Sequence, residues 1–227
     1  MKKNVAILAW LLLCRVLTAH AQNLESVLNS MDKAAADFKT AQTDFVWDQY
    51  QKVVDEHDLQ KGTMYFRRQG TDVQMAADIT SPDKKYVLFS DGKVSVYVPK
   101  AAQVTEYNSG KKKADFETFL VLGFGGSGRD LAKSFDVKYA GMEQVQSINA
   151  AKLVLTPKSE KVSNMFQTIT LWIDPGRGVS VQQLFTEKSG DYRLAKYNNI
   201  KLNQKIPNEV FKLKTSGKVT YVRPNAP

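Results

Sequence analysis

The sequence predicts a mainly β protein of the α+β class. A single curled antiparallel sheet is preceded by an amphipathic helix and covered by short helical pieces. Three observations lead there. Residues 84–107 (KKYVLFSDGKVSVYVPKAAQVTEY) hold two apolar runs around Ser90-Asp91-Gly92-Lys93. An Asp-Gly pair between alternating strands marks a hairpin, because both residues tolerate the positive φ of a type I′ turn. Alternating segments recur along most of the chain, whereas helical spacing is confined to its start and its middle. The resulting sheet has roughly ten or more strands, a width that must curl and so acquires a concave face.

The first 21 residues stand apart. Lys2 and Lys3 precede an apolar run at 5–17, broken only by Arg15, and Ala19-His20-Ala21 has small-x-small cleavage spacing. This is the pattern of a secretory signal peptide, too short and wrongly flanked for a membrane span. Cys14 raises the alternative of a lipidated protein, but Leu11-Leu12-Leu13 before it lacks the small residues such processing uses. The expected boundaries are 1–21 for the signal and 22–227 for one exported domain, with no repeat or linker. Cleavage after Ala21 leaves 206 residues and removes three cations, lowering the formal net charge from +9 to +6. It also removes the sole cysteine, and a domain of this size buries enough core to do without disulfides.

In the exported part, Leu24, Val27, Leu28, Met31, Ala35 and Phe38 fall at helical spacing, with Glu25, Asp32, Lys33 and Lys39 around the other side. From residue 44 the texture is that of strands. Residues 44–54 are long and aromatic, and His57-Asp58 reads as a turn. In 63–68, Met64, Phe66 and Arg68 share one face while Thr63, Tyr65 and Arg67 share the other. Val73, Met75, Ala77 and Ile79 line one face of the next strand. Val94, Val96 and Val98 do the same in the hairpin, before Pro99 stops it and 104–107 begins a further strand.

Alternation stops after Lys111. Residues 115–124 read as one or two turns of apolar helix carrying Phe116, Phe119, Leu120 and Leu122. Gly123, Gly125, Gly126 and Gly128 give it a flexible exit, and Leu131 belongs to a second short helix. Apolar surface beside so many glycines reads as a cover that moves, with a fixed helical corner as the alternative. Strands resume at 135–139, 148–156, 165–174, 179–186 and 192–200, separated by Asp174-Pro175-Gly176 and Ser189-Gly190-Asp191. The tail from 212 to 227 reads as loosely tied.

The residues give little support to catalysis. The exported chain holds one histidine, His57, and no cysteine, which excludes a cysteine nucleophile and argues against a histidine-based triad or zinc site. The glycines at 123–128 lack a following Lys-Ser/Thr, so they form no phosphate loop. No cofactor and no metal are expected. Lys111-Lys112-Lys113 is the sole tight basic cluster, too little for a nucleic-acid groove, which needs concentrated cations interleaved with stacking aromatics. The net charge is read as serving solubility, with attraction to anionic headgroups or an acidic partner as the alternative. Arg68 shares a face with Met64 and Phe66. It either snorkels to water at the strand end or grips exposed carbonyls of a covering helix.

The order of these pieces resembles the LolA family of periplasmic outer-membrane lipoprotein carriers. The likeness runs from about residue 24 to 213 and is sharpest at 62–68, at 90–99, at Leu153-Val154-Leu155-Thr156-Pro157 and at 207–211. The resemblance implies an incomplete β-barrel with its mouth covered by helices. It implies a monomeric, non-enzymatic chaperone. The interior would take lipoprotein acyl chains from an inner-membrane ABC transporter and hand them to an outer-membrane acceptor. The acyl site would comprise Met64, Phe66, Val73, Met75, Ile79, Val94, Val96 and Val98, with Phe119, Leu120 and Leu122 closing over them. Arg68 matches the family's inward arginine, which hydrogen-bonds the lid. Gln69-Gly70 stand where the family usually has proline after its arginine, and Ser95 stands where its slightly longer hairpin tends to carry tryptophan. A related envelope lipid-binding or sensing module that does not shuttle cargo is the alternative.

Overall fold

A computed structural model describes residues 23–70, 72–108 and 122–224. The expected signal peptide, 1–21, lies outside the described residues, as do Phe119 and Leu120. Helix α1 (23–37) is followed by six strands: β1 (Thr40–Gln51), β2 (Glu56–Gln69), β3 (Asp72–Ser81), β4 (Lys85–Ser90), β5 (Lys93–Val98) and β6 (Gln103–Asn108). Helix α2 (Gly128–Ser134) leads to β7 (Phe135–Val145) and β8 (Ile148–Pro157). The one-turn helix α3 (Glu160–Ser163) precedes β9 (Thr168–Asp174), β10 (Val179–Thr186) and β11 (Tyr192–Leu202), and β12 (Thr220–Val222) is the last strand.

The twelve strands of the described residues form one sheet, in the order β12-β6-β5-β4-β3-β2-β1-β11-β10-β9-β8-β7. Its edge strands, β7 and β12, are not paired with each other, so the sheet is an open, incomplete barrel. The Asp-Gly hairpin forms as expected. Ser90 pairs with Lys93, and Asp91 and Gly92 take φ of 53° and 72°, the two positive values that a type I′ turn demands. The expectation of a wholly antiparallel sheet is corrected at one edge, where β12 runs parallel to β6.

The inner face of the sheet is covered by α1. Val27 and Met31 pack among Leu153, Leu155, Ile169, Leu171 and Ile173 of β8 and β9. At the end of α1, Phe38 packs with Ala41, Phe45, Phe66, Ala77 and Ile79 of β1 to β3. The spacing that marks the helix therefore marks its contact stripe, since residues three and four apart lie on one side.

The outer face is covered in part by the chain after β11, and the contacts of Leu213 and Ser216 within it correct the expectation of a loosely tied tail from 212 onward. Phe211 is buried with Ala76 and Leu88, and Ile206, Val210 and Leu213 pack beside them. The Tyr86 hydroxyl donates to the Val210 carbonyl, and the Ser216 amide donates to the Tyr97 hydroxyl at 3.2 Å. Val210 and Leu213 carry no period that sequence reasoning could use, because the segment follows the sheet surface rather than a helix or strand. A second correction concerns His57. It lies on β2, not in a turn, with Nδ1 2.8 Å from Asp48 Oδ1 and its ring clustered with the stacked pair Tyr50 and Tyr192.

Candidate functional site: the inner face and its cover

Strand register decides which side chains share a face, because a slip of one residue inverts every assignment. Met64 faces Ala77, Phe66 faces Met75, Arg68 faces Val73 and Gly62 faces Ile79 across β2 and β3. Met75 faces Phe89, Phe89 faces Val94 and Val87 faces Val96 across β4 and β5. Val98 follows Val96 by one alternation. Met64, Phe66, Arg68, Val73, Met75, Ile79, Val94, Val96 and Val98 are thus on one face, the inner one. Phe66, Val73 and Ile79 are buried, whereas Met64, Met75, Val94, Val96 and Val98 are half-buried. Leu122 is buried farther along, beside Val27 and Met31 of α1.

The middle of the inner face is filled rather than hollow. Phe124 is 1% exposed, stacked on Phe66 with ring centroids 5.1 Å apart and set edge-on to Tyr197 at 5.0 Å. The turn that carries it is held through three of its carbonyls. Gln183 Nε2 donates to Leu122 O, Ser180 N donates to Gly123 O at 2.9 Å, and Arg68 Nη2 donates to Gly125 O at 2.5 Å. Arg68 also donates through Nη1 to Ala35 O at 2.8 Å, and its guanidinium lies 5.4 Å from the Phe38 ring centroid. Of the two readings of Arg68, the gripping one describes these contacts. Its partners are the last turn of α1 and the 122–125 turn together.

Seating this turn requires glycine. Gly123 and Gly125 adopt φ of +85° and +84°. A Cβ on Gly123 would fall 2.2 Å from Ser180 Cβ, and one on Gly125 would fall 2.6 Å from Phe38 Cδ1. Here these residues serve close approach more than flexibility.

Apart from Arg68, sequence reasoning missed the polar members of the site. Gln183 is 4% exposed, and its Oε1 accepts the Tyr197 hydroxyl at 3.1 Å. Burial pushes the Tyr197 phenol far above its ordinary range, so it stays a neutral donor. The available signal was alternation: in β10 an inward glutamine precedes an inward phenylalanine, a polar group at a core position. A separate groove of about 680 Å³ runs along the exposed side of α1, between Glu25, Lys33 and Asp37 and the Pro175-Gly176-Arg177 turn, and its lining mixes charged groups with apolar ones such as Ala34 and Pro175.

An open sheet whose apolar inner face is screened by a helix and a pinned turn defines a half-barrel with a covered interior. The model of the family described as outer membrane lipoprotein carrier protein LolA matches residues 36–214, and the chain belongs to that family. A search of curated sequences gave no significant match. Among solved structures, MucB is similar at 14% identity and a TM-score of 0.56, over 87% of this chain and 65% of the MucB chain. The Pseudomonas aeruginosa MucA/MucB complex gives 15% identity and a TM-score of 0.52, over 88% of this chain and 64% of that one. An uncharacterised conserved protein from Thermus thermophilus gives 12% identity and a TM-score of 0.54, over 88% of this chain and 98% of that one. This chain therefore spans about two-thirds of the length of the MucB chains. At such identities the likeness is one of fold.

Proposed function

We propose that the protein is a periplasmic chaperone that shields the acyl chains of lipoproteins and carries them from the inner membrane towards the outer membrane. On this reading residues 1–21 direct export, and residues 22–227 act as one monomeric domain that performs no covalent chemistry. An inner-membrane lipoprotein-releasing ABC transporter would load it and an outer-membrane acceptor would unload it. The observation that carries the proposal is the pinned cover: an apolar inner face is occupied by Phe124, on a turn held to the sheet by polar contacts. Each CH₂ taken from water contributes about 0.8 kcal/mol, so acyl chains need a shield, and an apolar face of this kind supplies one. Polar contacts that exist only in the closed form oppose loading by a few kcal/mol at most, which keeps binding reversible.

Met64, Phe66, Val73, Met75, Ile79, Val94, Val96 and Val98 are the proposed acyl contacts, with Phe119, Leu120 and Leu122 closing over them and Arg68 as the latch. The test is binding of a fluorescent fatty-acyl probe. Wild type should bind it, and Val96→Asp should weaken binding by more than about 1 kcal/mol, because an unpaired carboxylate would then face the chain. Absence of probe binding to the wild type would sink the carrier reading. A second reading, an envelope sensing module, has one observation in its favour: MucB, a fold relative, is found in a solved complex with MucA. Mass spectrometry of material co-purified from the periplasm separates the two. Lipoprotein supports the carrier, and a stoichiometric protein without acyl chains supports the sensor.

A further inference from the structure

Gln183 and Tyr197 are uncharged polar groups on a largely apolar face, and among the described residues the acceptor offered to the Gln183 amide is a carbonyl of the cover. Across the sheet Gln183 is flanked by Leu171 and Ala195. Its Nε2 donates to Leu122 O, while its Oε1 is taken by the Tyr197 hydroxyl. That second bond fixes the amide, turning its NH₂ rather than its oxygen towards the cover. Three residues along β10, the Ser180 amide is likewise satisfied by Gly123 O at 2.9 Å.

Phe124 follows directly in the chain and fills the space between Phe66 and Tyr197. A ligand chain that enters this space displaces Phe124, and the neighbouring carbonyls of Leu122 and Gly123 leave with it. The Gln183 amide and the Ser180 N–H then lose their acceptors at a site flanked by Leu171, where an unpaired donor is unfavourable. A plain hydrocarbon supplies no replacement. An ester or amide carbonyl does.

We infer that Gln183, oriented by Tyr197, forms with the Ser180 amide a subsite that reads the carbonyl of an acyl ester or acyl amide. The protein thereby takes acyl chains in preference to alkyl chains of equal length. This rests on the proposed acyl-binding function and names the chemistry its interior selects.

The experiment uses the full chain and two matched ligands, dioctanoylglycerol and its dioctyl ether analogue, each displacing a fluorescent acyl probe. The pair differs in its two carbonyls. Wild type should bind the ester about three- to tenfold more tightly, the range one neutral hydrogen bond gives. Gln183→Leu should lower the ratio to less than about half its wild-type value, the Ser180 N–H remaining, by weakening the ester more than the ether, and Tyr197→Phe should lower the ratio with less disturbance of packing. A role confined to holding the cover shut would shift both ligands together and leave the ratio intact. That result, or a wild-type ratio of one, overturns the inference and leaves acyl binding standing. Failure of the wild type to bind either ligand overturns acyl binding and this inference together.

Discussion

Arg67 and Arg68 are consecutive on β2 and fasten opposite faces of the sheet to different parts of the chain. Arg68 donates inward, to Ala35 O at 2.8 Å and Gly125 O at 2.5 Å. Arg67 points outward, where its Nη1 donates to Asn208 Oδ1 at 2.6 Å and its guanidinium stacks 4.2 Å from the Phe211 ring centroid. Gln74 Oε1 accepts from Arg67 Nε and Nη2 at 3.0 and 2.6 Å, fixing the plane of that stack. The two residues therefore make separable contributions, one to the cover and one to the C-terminal strap.

Arg68→Leu removes bonds present only when the cover is seated and adds apolar area to the inner face. We expect bound acyl probe to dissociate several-fold more slowly than from wild type in a stopped-flow chase. Arg67→Leu should leave that rate unchanged and lower the stability to urea by about 1–2 kcal/mol, through loss of the stack and of the Asn208 bond. Equal effects of the two variants on dissociation would refute the division of labour.

Phe124→Ala vacates the centre of the inner face. The unliganded protein should lose about 3–4 kcal/mol, as expected for truncating a fully buried phenylalanine. Acyl probe should at the same time associate faster, since the space it needs is already open. A loss below about 1 kcal/mol would show that Phe124 is not held in place in solution.

Gly123→Ala and Gly70→Ala test the seating of the turn against a control. Both residues have positive φ, but a Cβ on Gly70 meets nothing within 4 Å among the described residues, whereas one on Gly123 meets Ser180 Cβ at 2.2 Å. The control should cost about 1 kcal/mol from backbone strain alone. Gly123→Ala should cost clearly more and should raise amide exchange across residues 122–125 without affecting the β4–β5 hairpin.

Alkaline pH should weaken the fold through Tyr86. Its hydroxyl is pushed up to about 12, first by burial and then by the Asp78 carboxylate opposite it on β3. The unfolded chain ionises near pH 10 while the folded one stays neutral, so above that point the unfolded state binds fewer protons. The contribution is fully present below about pH 10 and is lost as pH rises from 10 through 12. Urea midpoints between about pH 8 and 11.5 should fall in this window, and less steeply for Tyr86→Phe.

Export should yield a chain beginning at Gln22. Intact mass of the periplasmic protein checks this, and a form retained in the membrane and starting at a lipidated Cys14 would contradict it.

The strands on either side of Asp91-Gly92 are legible because turn chemistry fixes the hairpin and alternation then fixes its faces. The same logic gives the inner positions of Met64, Phe66 and Arg68, since register propagates across neighbouring strands without further information. α1 is legible from its stripe. The tail from 212 is not, because Leu213 and Ser216 meet the outer face by long-range contact and obey no local period. β12 escapes for a related reason: three residues are too few to show alternation, and their pairing with β6 is set by the path of the strap. Gln183 is visible as an inward polar residue. Its meaning depends on Leu122 and Tyr197, 61 and 14 residues away along the chain.

Because β7 and β12 never meet, no hydrogen-bond ladder fixes the circumference of this sheet. A closed barrel has its radius set by strand number and shear, and cannot widen without breaking pairs. Here the ladder is already interrupted at irregularities, those at Gln42/Asp44, Lys61/Gly62 and Ser180/Gln182, where a change of curvature would cost least. On the proposed carrier reading, such a sheet would grip its contents as a hand does rather than as a ring, closing on cargoes of different girth without breaking a backbone pair.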